Sequence, residues 1–198
     1  MSDKDLPVPD FIDIDPETQA AAAAAMNRNM VLEPPENAVE AKSKDGKDVY
    51  KRWTEPAVIS NAWRETTEKG LVVAVIQGKI RTGSHNSGST VFARHMIHFA
   101  ALAGSADEIT KAKYAWMNDR SINALTTLLR ATGFHPETGG LTGKLLNYMF
   151  PVKNAPGATS PLKGKAVQLN LVDSPNRGEQ AKTPRQTGVE SYLPDNPV

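Results

Sequence analysis

The stretch of residues 71–101 restricts the fold of this chain most, because it holds two alternating runs joined by a turn. Residues 71–83 are rich in valine and isoleucine, and glycine, serine and asparagine dominate 83–89. β-branched residues favour strands, whereas Gly, Ser and Asn favour the turns between them. Residues 90–101 are then the natural return strand. The pattern predicts a long antiparallel β-hairpin.

The predicted hairpin has two chemically different faces, because successive side chains of a strand point to opposite sides. The mostly apolar face holds Ala74, Ile76, Ile80, Thr82, Val91, Ala93, His95, Ile97 and Phe99. The opposite face holds Val75, Gln77, Lys79, Arg81, Phe92, Arg94, Met96 and His98. We expect the first face to cover a core and the second to offer cations and an aromatic ring to a ligand.

Two helices and one more strand are expected after the hairpin. Ser105 and Glu108 have the spacing of a capping box, which predicts a helix over 106–118, and helical periodicity predicts a second over 121–132. Residues 145–150 fit a helix or a strand, and 162–172 a strand. The predicted class is α+β: an antiparallel sheet or partly open barrel built on the hairpin, with two packed helices and flexible termini. An oligonucleotide-binding barrel is one candidate, and another sheet-plus-helix arrangement is equally open.

Charge divides the chain into three parts. Residues 1–45 hold four Lys/Arg against ten Asp/Glu, residues 46–172 hold sixteen against eight, and residues 173–198 hold three against four. We therefore expect an acidic arm and linker at 1–48, partly disordered, one nucleic-acid-binding domain at 49–172, and a flexible tail at 173–198. The first 20 residues carry six acids and no apolar run, which is unlike a secretory signal and favours a cytoplasmic location. A basic body attracts phosphates, although a simply solvated surface is the alternative.

Motifs for catalysis and metal binding are weak. The chain has no cysteine, which excludes thiolate nucleophiles and thiolate zinc sites. Residues 139–144 resemble a phosphate loop, but Thr138 and Leu145 stand where that loop needs a glycine and a Ser/Thr. His95 and His98 are three residues apart, which places them on opposite faces of a strand. We predict no enzyme activity, no cofactor and no metal.

Cations lie next to aromatic rings in three places, and this pairing suits single-stranded nucleic acid, whose phosphates need cations and whose bases stack on rings. The three places are residues 50–53, residues 111–116, and the side of the hairpin that carries Lys79, Arg81, Phe92 and Arg94. Trp53, Trp63 and Trp116 are more often core residues than stacking platforms. The predicted nucleic-acid-binding residues are Lys79, Arg81, Phe92, Arg94, Lys51, Arg52, Trp53, Lys111, Lys113, Lys144, Lys163 and Lys165.

The order of a basic hairpin, a helical pair, residues 143–146, residues 161–167 and a polar tail resembles bacteriophage single-stranded-DNA-binding proteins. More specifically, the chain resembles the single-stranded-DNA-binding RNA polymerase cofactors of N4-related phages, over about residues 55–195. The resemblance implies binding to melted promoter DNA, recruitment of a phage RNA polymerase and a location in the infected host's cytoplasm. A protein-interaction or virion component that docks through its arm and tail is the alternative. The sequence leaves open whether the ligand is DNA or RNA and whether the role is in transcription or in replication. It also leaves open whether the chain forms a homo-oligomer.

Overall fold

A computed structural model describes residues 32–42, 49–66, 71–98, 107–134, 141, 143–174 and 186–195. These residues form six strands and two helices in one α+β arrangement, so the predicted fold class is confirmed. The elements are β1 (Val39–Lys42), β2 (Val49–Thr66), β3 (Val72–Ile80), β4 (Thr90–Ile97), α1 (Glu108–Ala131), α2 (Gly143–Met149), β5 (Ala166–Ser174) and β6 (Gln186–Pro194). Residues 1–31 and 43–48 of the predicted acidic arm and linker lie outside the described residues.

All six strands belong to one antiparallel sheet, in the order β4-β3-β2-β5-β6, with β1 paired to the first residues of β2. The sheet curves into a partly open barrel around one main apolar core. The predicted hairpin is confirmed as β3 and β4, which pair from Val72 with Ile97 to Lys79 with Thr90. Gly83 and Gly88 have φ of 90° and 79° in the connecting turn, a conformation that favours glycine.

The long strand β2 was missed by the sequence pattern, and the arm-and-linker interpretation of residues 1–48 is wrong for residues 32–42, which the structure describes. Leu32 is buried in the core, and Val39–Lys42 is a strand. Charged residues and Pro56 conceal the alternation of β2. Pro56 is tolerated because it lies one residue beyond the end of the β3 pairing, so its missing N–H removes no ladder bond there. Its carbonyl still accepts from the Arg81 N–H at 2.9 Å.

The predicted flexible tail at 173–198 is also wrong in part. β5 extends to Ser174, and Gln186–Pro194 pairs with it as β6. The strand buries Thr187 and Tyr192 towards the core, while a register irregularity near Asn170 and Leu171 interrupts the alternation along β6. This irregularity and the few apolar residues explain why the strand resembles a polar tail in sequence.

One continuous helix replaces the two that were expected. α1 begins after Asp107, whose side chain accepts from the Thr110 N–H, whereas the predicted cap Ser105 lies outside the described residues. No glycine or proline separates the two expected segments, so the helix has no reason to end between them. The ambiguous stretch 145–150 is resolved as α2, with Met149 and the following Phe150 fully buried.

Helix α1 closes the opening of the barrel, because it packs against both edge strands, β4 and β6. The side chain of Asn118 accepts from the His98 N–H at 2.8 Å and donates to the His98 carbonyl at 3.0 Å, as a neighbouring strand would. Thr127 accepts from the Tyr192 N–H at 3.2 Å. Inside this seam, His95 Nε2 of β4 and the Tyr192 hydroxyl of β6 share a hydrogen bond of 2.9 Å.

The turn of the hairpin is fastened to the barrel end by Asn86. Its Nδ2 donates to the buried carboxylate of Glu55 at 2.7 Å and to the Glu33 carbonyl at 3.0 Å, and its Oδ1 accepts from the Glu33 N–H at 3.2 Å. The Leu32 N–H donates to Thr187 Oγ1 at 2.9 Å. The segment 32–33 therefore joins the hairpin turn to β6 across the end of the barrel.

We expect Asn86→Ala to lower the free energy of unfolding by about 2 kcal/mol, because the buried Glu55 carboxylate loses a side-chain donor. Urea denaturation of the full chain measures this change. Ser87→Ala, an exposed position in the same turn, is the matched control and should leave the stability within about 0.5 kcal/mol. Equal stability of the two variants would contradict this role of Asn86.

Candidate nucleic-acid interface

The hairpin presents its second face to the outside of the barrel, as the alternation predicts. Strand register places Phe92 of β4 beside Gln77 of β3, and Lys79 beside Thr90, all on this side. Arg94 lies beside Val75, and its guanidinium carbon is 5.8 Å from the centre of the Phe92 ring. We call Gln77, Lys79, Phe92 and Arg94 together the hairpin face.

The other end of this outer surface is covered, which corrects the expectation that the whole face is open. Val73, Val75 and Met96 are buried there with Leu71, against Tyr114 of α1. Tyr114 also stacks on His98, with ring centres 4.3 Å apart and planes at 12°. Tyr114 is therefore a packing residue, and the surface left for a ligand begins at the polar end of the hairpin.

Strand β2 extends the open surface with a second ring. Trp63 is half-buried beside Val75, and the Lys153 ammonium lies 5.6 Å from the centre of its ring. The carboxylate of Glu65 accepts from the Trp63 indole N–H and from Lys153, each at 3.3 Å. Asn61 is exposed beside Gln77. Two rings, each in contact with a cation, thus flank a strip of amide side chains.

Arg81 lies just beyond β3 on the same side of the sheet, and it already has an anionic partner. Its guanidinium donates to the Asp195 carboxylate at 2.6 Å, and Gln168 of β5 donates to the same oxygen at 3.2 Å. A depression of about 550 Å³ lies beside this ion pair, lined by Val58, Lys79, Ile80, Arg81, Thr82 and Gly88. Arg81 therefore belongs to the outer surface as predicted, but its charge is balanced within the chain.

The three predicted residues in β2 are divided between the faces. Trp53 is buried in the main core, so its prediction as a stacking residue is wrong, because alternation along β2 turns it inwards. Arg52 points outwards and pairs with Glu190 at 3.1 Å near the far end of the sheet. Lys51 is exposed, and its strand neighbours are Glu40 and Asp173. None of the three adjoins the hairpin face.

The remaining predicted cations lie on other elements. Lys111 pairs with Glu108 at 2.8 Å in the first turns of α1, one turn before Tyr114, and Lys113 belongs to the same helix. Lys144 is exposed on α2, and Lys163 is exposed in the turn before β5. The Lys165 ammonium lies 5.4 Å from the Phe134 ring centre, beyond the end of α1. Among the predicted residues whose side chains the structure describes, Lys79, Phe92 and Arg94 lie together on one surface, with Arg81 beside them.

Neither His95 nor His98 is placed for metal binding. Burial, together with the charge of Arg120, lowers the pKa of His95 to about 4, so its ring is neutral at pH 7. Burial likewise lowers the pKa of His98 and raises the pKa of Tyr192. Within the described ranges, no three His, Asp or Glu side chains converge as a metal site would require.

Trp63, Lys153, Gln168 and Asp195 belong to this surface but were not among the predicted binding residues. The irregularity of β2 between Ile59 and Asn61 shifts the alternation, so a pattern read across it assigns Trp63 to the wrong side. Lys153 lies in an aperiodic connection after α2, which carries no sequence signal. Asp195 is 114 residues from Arg81, and only the folded sheet brings the two together.

No model of a known protein family matches this sequence, and a comparison with curated proteins finds no significant relative. Among the described residues, neither helix is long and apolar enough to cross a membrane. The function is therefore proposed from the chemistry of the surface.

Proposed function

We propose that this protein binds single-stranded DNA, with little dependence on sequence and without catalysis, through the hairpin face and the adjoining Trp63. The observation that carries the proposal is the Phe92–Arg94 pair beside Lys79, a ring and two cations on one open surface. Exposed bases stack on aromatic rings at about 1–3 kcal/mol per base, and phosphates bind the neighbouring cations. The amides of Gln77 and Asn61 can meet the edges of any base.

The strand path supports the same proposal. The sequence β2, β3, β4, β5, β6, with α1 between its third and fourth strands, has the connectivity of an oligonucleotide-binding barrel. Such barrels bind oligonucleotides on the face of their second and third strands, which here are β3 and β4. Fold alone does not establish function, so the connectivity adds weight only because the same two strands carry the cations and the ring.

The proposal is tested by fluorescence anisotropy, which compares binding of a labelled dT oligonucleotide with binding of a labelled duplex of equal length. We expect the single strand to bind at least about tenfold more tightly, since duplex bases are already stacked and cannot reach Phe92. Raising the salt from 50 to 200 mM should weaken binding with a logarithmic slope of about −0.7 for each phosphate contacted. Equal binding of the single strand and the duplex, or no binding of either at low salt, would overturn the proposal. A titration with an rU oligonucleotide tests whether the protein also binds RNA.

Recruitment of a phage RNA polymerase is a further part of the proposal, and it rests on the resemblance of the sequence. It predicts co-purification of the full chain with a phage polymerase, increased by melted promoter DNA. A protein-interaction or virion role through the acidic arm and the tail is the other candidate. That role predicts partner binding that does not change when Lys79→Ala is combined with Arg81→Ala.

A further inference from the structure

The ion pair of Arg81 and Asp195 has the geometry of an anion site. Arg81 follows β3 and Gln168 lies on β5, on either side of Pro56 in β2. Both donors converge on one oxygen of the Asp195 carboxylate, at 2.6 and 3.2 Å. The Asp195 side chain is only 12% exposed, whereas that of Arg81 is 39% exposed. The surface thus surrounds a carboxylate and leaves the cation accessible.

The same donors suit a phosphate. A guanidinium binds carboxylates and phosphates through the same N–H groups, and a neutral amide adds a donor without adding charge. Lys79 stands two residues before Arg81 on the same side of the hairpin, about 7 Å along the strand. Lys79 and Arg81 both line the same depression in the surface. A strand of DNA that crosses the hairpin face would therefore bring a phosphate towards Arg81.

Release of Asp195 would leave the sheet intact. The last pair between β5 and β6 joins Val167 to Pro194, so Asp195 lies one residue beyond the ladder. Its described contacts with the barrel are the hydrogen bonds from Arg81 and Gln168. The carboxylate can leave without breaking a strand pair.

We propose that Arg81 and Gln168 form a phosphate-binding seat at the end of the hairpin face, and that Asp195 occupies this seat until a phosphate of single-stranded DNA displaces it. The inference rests on the proposed function, since the ligand is the phosphodiester backbone of the same strand. Asp195 thereby lowers the affinity of the free protein by the same factor for every ligand that must displace it.

The test compares dT binding by the wild-type chain with Asp195→Asn, which removes the charge and keeps the shape of the side chain. We expect Asp195→Asn to bind dT about 3- to 10-fold more tightly than the wild type. In this variant the DNA no longer has to displace a partly exposed, charge-assisted hydrogen bond. Arg81→Gln should weaken binding and abolish the gain, so that the double variant equals Arg81→Gln alone. Glu190→Gln is the matched control, because it removes an ion-paired acid from β6, the strand that precedes Asp195, beside Arg52.

Three outcomes separate the possibilities. A gain in Asp195→Asn that exceeds the gain in Glu190→Gln and disappears without Arg81 supports the seat. Binding by the wild type, with equal or weaker binding by a stably folded Asp195→Asn, overturns the seat but leaves the proposed function. Absence of dT binding by every variant overturns the proposed function and the seat together.

A measurement on the wild-type chain guards against loss of folding in Asp195→Asn. In NMR titrations with dT, the Arg81 Nε–Hε resonance should shift, and the Asp195 amide should sharpen towards the position of an unstructured residue. Saturating dT that leaves both resonances in place would show that the ion pair persists in the complex, which would overturn the seat.

Discussion

Replacing Lys79 and Arg94 together by glutamine is expected to weaken dT binding by about 100-fold, because two charge-assisted contacts to phosphate are lost. The two cations stand on adjacent strands of the hairpin, with the Phe92 ring beside Arg94. Losing both should also reduce the slope of affinity against salt by about 1.4, at roughly 0.7 for each phosphate. Anisotropy titrations at several salt concentrations measure both quantities.

The matched control for this double variant is Lys144→Gln with Lys163→Gln, which removes the same charge from exposed positions on α2 and in the turn before β5. We expect this control to lose no more than about threefold, through the general attraction of a basic body for DNA. If both double variants lost affinity equally, binding would depend on net charge alone, and the hairpin face would not be the site.

Sequence alone could predict the hairpin because its information is local. Alternation, β-branched residues and a glycine-rich turn all lie within 71–101, and the observed register, which pairs Val72 with Ile97, agrees with the two faces that the alternation predicts. The grouping of Lys79, Phe92 and Arg94 follows from the same alternation. Their role in binding stays a prediction.

The rest of the sheet depends on partners that are distant in the chain. β2 is stable because β3 and β5 pair on its two sides, and β6 because it pairs with β5 and packs on α1. Buried positions in these strands include Glu55 and Thr187, which a pattern of apolar residues does not detect. Trp53 shows the same limit, since its neighbours in sequence are cations while its neighbours in space are the core.

The seam between β4 and β6 shows how the barrel is closed without a complete ladder. α1 supplies Asn118 and Thr127 as hydrogen-bonding partners for the two edge strands, and His95 and Tyr192 meet inside. A buried polar pair stabilises such a seam only while both groups keep their partners and stay uncharged. The seam therefore makes the stability of the whole barrel sensitive to protonation of His95.

We expect stability to fall by up to about 3 kcal/mol as the pH decreases from 6.5 to 4, because His95 has a pKa near 6.5 when unfolded and about 4 in the barrel. The unfolded chain binds the proton first, so acid favours unfolding across this window, and His95 adds no further loss below pH 4. His95→Gln keeps a hydrogen-bonding group for Tyr192 but cannot titrate, so urea denaturation should give a flatter dependence. His85→Gln, exposed in the hairpin turn, is the matched control and should follow the wild type. A wild-type pH dependence in His95→Gln would contradict this role of the seam.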